Sequence, residues 1–156
     1  MIIQWQGKEN FIIKTKALTV SIGEKNKLGD LEIKGPGEYE IGGVQLEIID
    51  GISEVFAEGM VVGHIKKGKV FTDEELEKLN NINILLVGVG GGKFTETKVA
   101  QEMINQIEPG IVIPMYESNL EEFTKESSDT FEDEIKIVRG ELPEDERKVV
   151  VLNARS

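Results

Sequence analysis

The 156-residue sequence contains no cysteine and a single histidine, His64. The first absence excludes a disulfide framework and leaves the cytoplasm as the expected compartment. The two together rule out every Cys/His structural zinc pattern, because those sites take their ligands from thiolates and imidazoles. A catalytic zinc would have to combine His64 with carboxylates alone. Carboxylate-only sites suit Mg²⁺, Mn²⁺ or Ca²⁺, but no Asp-x-Asp-x-Asp-Gly loop is present to organise one. No metal and no other cofactor is therefore expected.

Positive charge is also scarce. Lys+Arg number 18 against 29 Asp+Glu, for a formal net charge of −11. Nucleic-acid binding needs a basic footprint to neutralise phosphates, so this sign argues against it. Anionic membrane surfaces are disfavoured for the same reason. The surplus is concentrated late: between Glu117 and Glu146, twelve acidic residues stand against Lys125, Lys136 and Arg139. That stretch reads as a solvated acidic face. Long apolar runs are missing too. None approaches the roughly 20 residues of a membrane span, and Met1-Ile2-Ile3-Gln4-Trp5 lacks the basic head and apolar stretch of a signal peptide. What remains, at 39% hydrophobic and 30% charged residues, is the composition of a globular chain, read as one domain over residues 1–156.

Period-2 patterns and turn formers dominate the first half. Ile2 to Trp5, Phe11 to Lys14, Leu18 to Ile22, Leu31 to Ile33 and Val44 to Ile49 read as strands separated by glycine-containing turns. Residues Glu54 to Ile65 and Lys69 to Phe71 predict a further hairpin around Lys66-Lys67-Gly68. The second half alternates helix and strand. Thr72-Asp73-Glu74-Glu75 is a capping box opening a short helix. The apolar run Ile82 to Val89 predicts a strand covered on both faces. Thr95 can cap a helix whose inner stripe is Val99, Met103, Ile104 and Ile107, ended by Pro109-Gly110. Ile111 to Met115 is the next buried strand, Ser118-Asn119-Leu120-Glu121 a second capping box, and Ile135 to Val138 and Val149 to Leu152 the closing strands. This is an α/β (α+β) chain.

Three clusters invite a chemical reading. A Ser-His-acid triad is formally available to His64, but no Gly-x-Ser-x-Gly elbow accompanies it, and a hydrogen-bonded strand histidine is the favoured reading. The turn Gly88-Val89-Gly90-Gly91-Gly92-Lys93 stands between a strand and a helix, where backbone amides can cradle an anion. It fits neither the phosphate-loop spacing nor the dinucleotide pattern, in which Lys93 replaces the last glycine. It reads first as a tight turn and second as an anion or nucleotide sensor. Glu38 and Glu40 would share one strand face and could divide acid and base roles. After Gly35-Pro36-Gly37 they read instead as charges guarding a sheet edge.

Four segments taken together resemble the small bacterial and archaeal metal-dependent hydrolases of the metallo-β-lactamase superfamily. They are Ile33-Lys34-Gly35-Pro36-Gly37-Glu38-Tyr39-Glu40-Ile41-Gly42-Gly43-Val44; Phe71-Thr72-Asp73-Glu74-Glu75-Leu76; Ile84-Leu85-Leu86-Val87-Gly88-Val89-Gly90-Gly91 with Phe94-Thr95; and Gln106-Ile107-Glu108-Pro109-Gly110-Ile111-Val112-Ile113-Pro114-Met115. Met1-Ile2-Ile3-Gln4-Trp5-Gln6-Gly7 looks like the family's first strand. The resemblance implies a β-sandwich flanked by helices with a metal cleft at one sheet edge.

It also implies losses. The family's His-x-His-x-Asp-His motif belongs between Ile22 and the Gly-Pro-Gly-Glu-Tyr segment, where only Gly23 to Asp30 remain. The family's bridging aspartate falls near Lys66 or Lys67, and its Met-His is Met115-Tyr116 here. The fold is thus expected in a form reduced by a strand-helix unit, with His64, Lys66, Lys67, Gly88, Gly90, Gly91, Gly92 and Tyr116 around a vestigial cleft. No residue is assigned as catalytic or metal-binding. Without a metal-bound hydroxide, water at neutral pH is a poor nucleophile. A catalytically inactive protein acting through binding or self-assembly is the expectation, with a hydrolase using an atypical or intersubunit site as the alternative. Loss of the unit should also bare apolar sheet surface, which predicts a homodimer.

Overall fold

The computed structural model describes residues 1–124 and 130–155. In chain order, the first strands are β1 (Ile2–Trp5), β2 (Phe11–Lys14), β3 (Thr19–Ile22), β4 (Asn26–Leu28) and β5 (Leu31–Ile33). Then come β6 (Gly37–Ile41), β7 (Val44–Ile49), β8 (Ile52–Ala57), β9 (Met60–Ile65), α1 (Asp73–Lys78), β10 (Ile84–Gly88) and α2 (Thr97–Ile107). The chain closes with β11 (Ile111–Met115), α3 (Leu120–Thr124), β12 (Thr130–Glu132), β13 (Ile135–Lys136) and β14 (Lys148–Leu152). One sheet runs in the order β13-β1-β2-β3-β4-β5, the other β12-β14-β11-β10-β9-β8-β7-β6.

The two sheets pack face to face through alternating side chains. Ile3, Phe11, Ile13 and Val20 of the first sheet meet Leu46, Val62, Leu86 and Ile113 of the second in one buried cluster. Burying each such side chain stabilises the fold by about 1.5–3 kcal/mol. On the opposite face of the second sheet, Leu85, Val87 and Val112 pack against Ala100, Met103 and Ile104 of α2 and Phe123 of α3. Strand β10 is therefore covered on both sides, as its unbroken apolar run requires. The three α-helices among the described residues all contribute to this second cluster, so they form a helical layer on that side of the sandwich.

The other outer face, that of the first sheet, is largely polar. The register aligns Gln4, Ile12, Ser21, Lys27 and Glu32 in one row across β1 to β5, with Lys14 opposite Thr19 in the next. Ile2 and Ile12 are half-buried there. Among the described residues the expected uncovered apolar face is not found: on this uncovered side the strands carry mostly hydrophilic side chains outward. Between β3 and β5 the chain makes only the short strand β4, so Gly23 to Asp30 hold no ligand loop or helix.

Several local expectations need correction. The hairpin placed around Lys66-Lys67-Gly68 is instead β8–β9, turning at Glu58 (φ 53°) and Gly59 (φ 76°). Two consecutive positive φ angles are what a two-residue turn matching strand twist demands. Lys69 to Phe71 form no strand. Phe71 borrows a strand-like pairing from a side chain, Gln106 bonding its amide and carbonyl at 2.8 Å each. Helix α2 starts two residues after Thr95, with Glu96 at its N-cap. Asn119 takes φ 59°, so it is not the first helical residue that a Ser118 capping box requires. The Thr72 box is formed in full, Thr72 Oγ1 accepting from the Glu75 amide at 3.2 Å and Glu75 Oε1 from the Thr72 amide at 3.0 Å. Strand β6, carrying Glu38 and Glu40, is the terminal strand of its sheet. Strands β4 and β12 were not expected, and Val138 lies beyond β13, exposed. Lys125, Glu126 and Asp129 of the acidic stretch lie outside the described residues.

Candidate functional site

Strands β9, β10 and β11 are parallel neighbours, so the segments following Ile65, Gly88 and Met115 emerge at one sheet edge. Crevices at the carboxyl ends of parallel strands are where such sheets place ligands. The eight residues expected around a cleft, His64, Lys66, Lys67, Gly88, Gly90, Gly91, Gly92 and Tyr116, lie at or just beyond the ends of these three strands. They do not make one open cavity.

On the sandwich side, His64 is buried and its ring meets Phe11 edge-on at 5.9 Å between centroids. His64 Nε2 lies 2.8 Å from the backbone carbonyl of Glu9. A carbonyl only accepts, so Nε2 carries the proton and is committed to this bond. Burial pushes the imidazole pKa below its ordinary value, keeping the ring neutral. Lys66 Nζ pairs with Glu9 Oε1 at 3.0 Å. Tyr116 packs on Trp5, ring centroids 5.0 Å apart, and partial burial raises its phenol pKa. Trp5 Nε1 donates to the Lys8 carbonyl at 2.9 Å.

On the helix side, the glycine turn is tied down by its surroundings. Lys67 Nζ donates to the Gly92 carbonyl at 2.9 Å, Asn119 Nδ2 to that of Gly90 at 3.3 Å, and the Gly91 amide to the Thr95 carbonyl at 3.0 Å. The close approaches explain two glycines directly. A Cβ on Gly88 would sit 1.9 Å from the Lys66 carbonyl oxygen, and one on Gly90 2.2 Å from that of Ser118. Buried Thr95 joins the layers: Oγ1 donates to the Lys66 carbonyl at 3.2 Å and accepts from the Gly68 amide at 3.1 Å.

The donor set does not suit the metal that the resemblance implies. It offers one imidazole, packed edge-on against Phe11 with Nε2 given to a backbone carbonyl and only Nδ1 left, and the Glu9 carboxylate beside it is paired with the Lys66 ammonium. Among the described residues, no group of three or more His, Cys, Asp or Glu is placed to hold a metal ion. Glu9, Trp5, Phe11 and Thr95 all belong to this cluster, and none carries a sequence signal for it. Their roles rest on contacts between distant strands, and a backbone carbonyl partner leaves no trace in residue type.

A family model described as the beta-lactamase superfamily domain matches residues 9–116. Among solved structures, this chain is similar to a proposed Zn-dependent hydrolase of the metallo-beta-lactamase superfamily from Thermotoga maritima. The identity is 25% and the TM-score 0.83, over 97% of this chain and 98% of that one. It is also similar in fold to Igni18, a metallo hydrolase from the archaeon Ignicoccus hospitalis, with 12% identity and a TM-score of 0.62 over 80% of this chain and 88% of that chain. No curated protein matches the sequence.

Proposed function

This chain belongs to the beta-lactamase superfamily domain family, and from that premise we propose that it is a catalytically inactive, metal-free member acting through binding or self-assembly in the cytoplasm. The observation that carries the reading is that, among the described residues, no group of three or more His, Cys, Asp or Glu is placed to hold a metal ion, the one imidazole standing beside a Lys66–Glu9 ion pair. A neutral imidazole, an ion pair and packed aromatic rings stand together at this strand end, which supports a site without a metal. Without a ligand set among the described residues, the site has no means of its own to lower the pKa of an attacking water.

Self-association, most simply a two-fold dimer, is part of the proposal. Its support comes from an edge rather than a face. Strand β12 ends the eight-stranded sheet, and its Phe131 is 62% exposed. Pairing of such edges across a two-fold axis would cover both the ring and the free backbone groups.

A second reading is favoured by one finding. The nearly coextensive Thermotoga protein is named for Zn-dependent hydrolysis, so a hydrolase with an atypical or intersubunit site remains the rival. Elemental analysis of chain purified without chelator, with light scattering on the same sample, separates the two. The first reading expects metal far below one equivalent in a dimeric protein. Stoichiometric zinc, manganese or iron would overturn it, and a monodisperse monomer at micromolar concentration would remove the dimer.

A further inference from the structure

A pocket of about 450 Å³ lies on the helix-side face of β7, β8 and β9, beside α1, in the size range of small-molecule sites. Two side-chain rows form its floor. Ile49, Ile52 and Ile65 align across the three strands, and Glu47 aligns with Glu54. Phe71 and Leu79 add apolar wall. Ile49 is 46% exposed although its row is hydrocarbon, because no helix lies over it.

Glu54 is the unusual group. It is only 4% exposed, and among the described residues it has no ion-pair partner. The Asn80 amide donates to Oε2 at 3.2 Å, and Asn80 Nδ2 reaches Oε1 at 3.4 Å. A carboxylate offers about four acceptor positions, so capacity remains. Directly across the strands stands Glu47, and like charges so placed are unfavourable without a cation. None of the three rim lysines is ion-paired with either carboxylate among the described residues: Lys69 pairs with Glu75 at 3.2 Å, Lys67 bonds to the Gly92 carbonyl, and Lys78 forms no ion pair with Glu54 or Glu47. Lys78 and Asp50 complete the charged rim. Burial and Glu47 both push the Glu54 carboxyl pKa up, against the lowering by Asn80.

We infer that this pocket binds a small amphiphilic amine, a primary ammonium on an apolar aliphatic or aromatic body. The ammonium seats between Glu54 and Glu47, and the body lies on the isoleucine row. An anionic ligand would meet two carboxylates, and two carboxylates alone make a poor divalent-metal site. The site does not depend on whether the chain is a hydrolase.

The test is an NMR titration of the ¹⁵N-labelled full chain with n-hexylammonium, 2-phenylethylammonium, the neutral 2-phenylethanol and the anionic phenylacetate. At least one ammonium should give saturable shifts at the Gly51, Ile52, Gly68 and Asn80 amides. The alcohol should bind at least about tenfold more weakly, since a desolvated charge pair is lost, and phenylacetate should give no shifts there. Glu54→Gln should weaken ammonium binding about tenfold or more. Should that variant fail to fold, Glu47→Gln gives the same reading from the less buried partner. The inference is overturned if neither ammonium saturates, if the shifts map elsewhere, if ammonium and alcohol bind alike, or if binding survives in the folded variant unchanged.

Discussion

His64 Nε2 donates to the carbonyl oxygen of Glu9 at 2.8 Å across 55 positions of sequence, joining β9 to the β1–β2 loop. The buried ring has its pKa held below the ordinary value by desolvation. Between that depressed value and the unfolded value near 6.5, the unfolded chain binds more protons, so stability falls as pH falls. The slope from one such group reaches about 1.4 kcal/mol per pH unit. Urea midpoints measured from pH 7.5 to 5 should decline, and His64→Gln should flatten the decline. An unchanged slope in the variant would show that the ring titrates freely.

Glu54 acts with the opposite sign. Its raised folded pKa means that the folded state takes up a proton before the unfolded one does, so the ionised form costs stability at neutral pH. Glu54→Gln should therefore stabilise the chain at pH 7.5 by about 1 kcal/mol, on the low side for relief of an unpaired buried charge. The advantage should shrink as pH falls through the raised pKa. Thermal melts of both proteins across that range would read it. The His64 slope is best isolated in this background.

Two glycines of one turn should respond differently. A Gly88→Ala methyl collides with the Lys66 backbone, whereas nothing lies within 4 Å of a Cβ on Gly91. Gly91, at φ 81°, carries only the left-handed conformational penalty, about 1–2 kcal/mol. Gly88→Ala should cost about 3 kcal/mol or more, because backbone rather than a flexible side chain must move. Denaturant unfolding would rank them, and equal losses would contradict the geometry.

Thr95 serves the β9–α1 segment and not the start of α2. Thr95→Val keeps the shape but removes both hydrogen bonds of the hydroxyl, leaving the Gly68 amide and Lys66 carbonyl short of a partner. A loss of about 1–3 kcal/mol is expected, with Thr95→Ser close to the parent. Hydrogen exchange should accelerate at Gly68 in the valine variant. If exchange rises only within α2, the residue is a helix cap after all.

What the sequence made legible was whatever a local pattern encodes. The apolar run around Leu85 and Leu86 required a doubly covered strand, the Thr72–Glu75 spacing a cap, and Glu38 and Glu40 after Gly-Pro-Gly a guarded edge. The glycine turn was placed correctly between strand and helix. The failures share a different origin. Glu58 in a left-handed turn is a poor statistical candidate, so local pattern does not mark the β8–β9 hairpin. Strands β4 and β12 are three residues long and partly polar, and only their neighbours hold them extended. Thr95 followed tertiary demand over local capping chemistry. Glu9 enters the candidate site through its main chain, and the cavity over Ile49 and Ile52 arises because α1 stops short of them. Neither is written in any stretch of adjacent residues.

Apart from Ile2 and Ile12, the hydrocarbon of β1 to β5 lies on the inward side, so a covering layer over that sheet would gain little by docking and its absence exposes little that water rejects. The apolar outer face lies on the opposite flank, where α2 seals β10 and β11. Segments inserted or removed at the Glu24-Lys25 bend therefore need no compensating change of surface, and that flank is the place to vary chain length or graft a foreign loop while leaving the melting temperature intact.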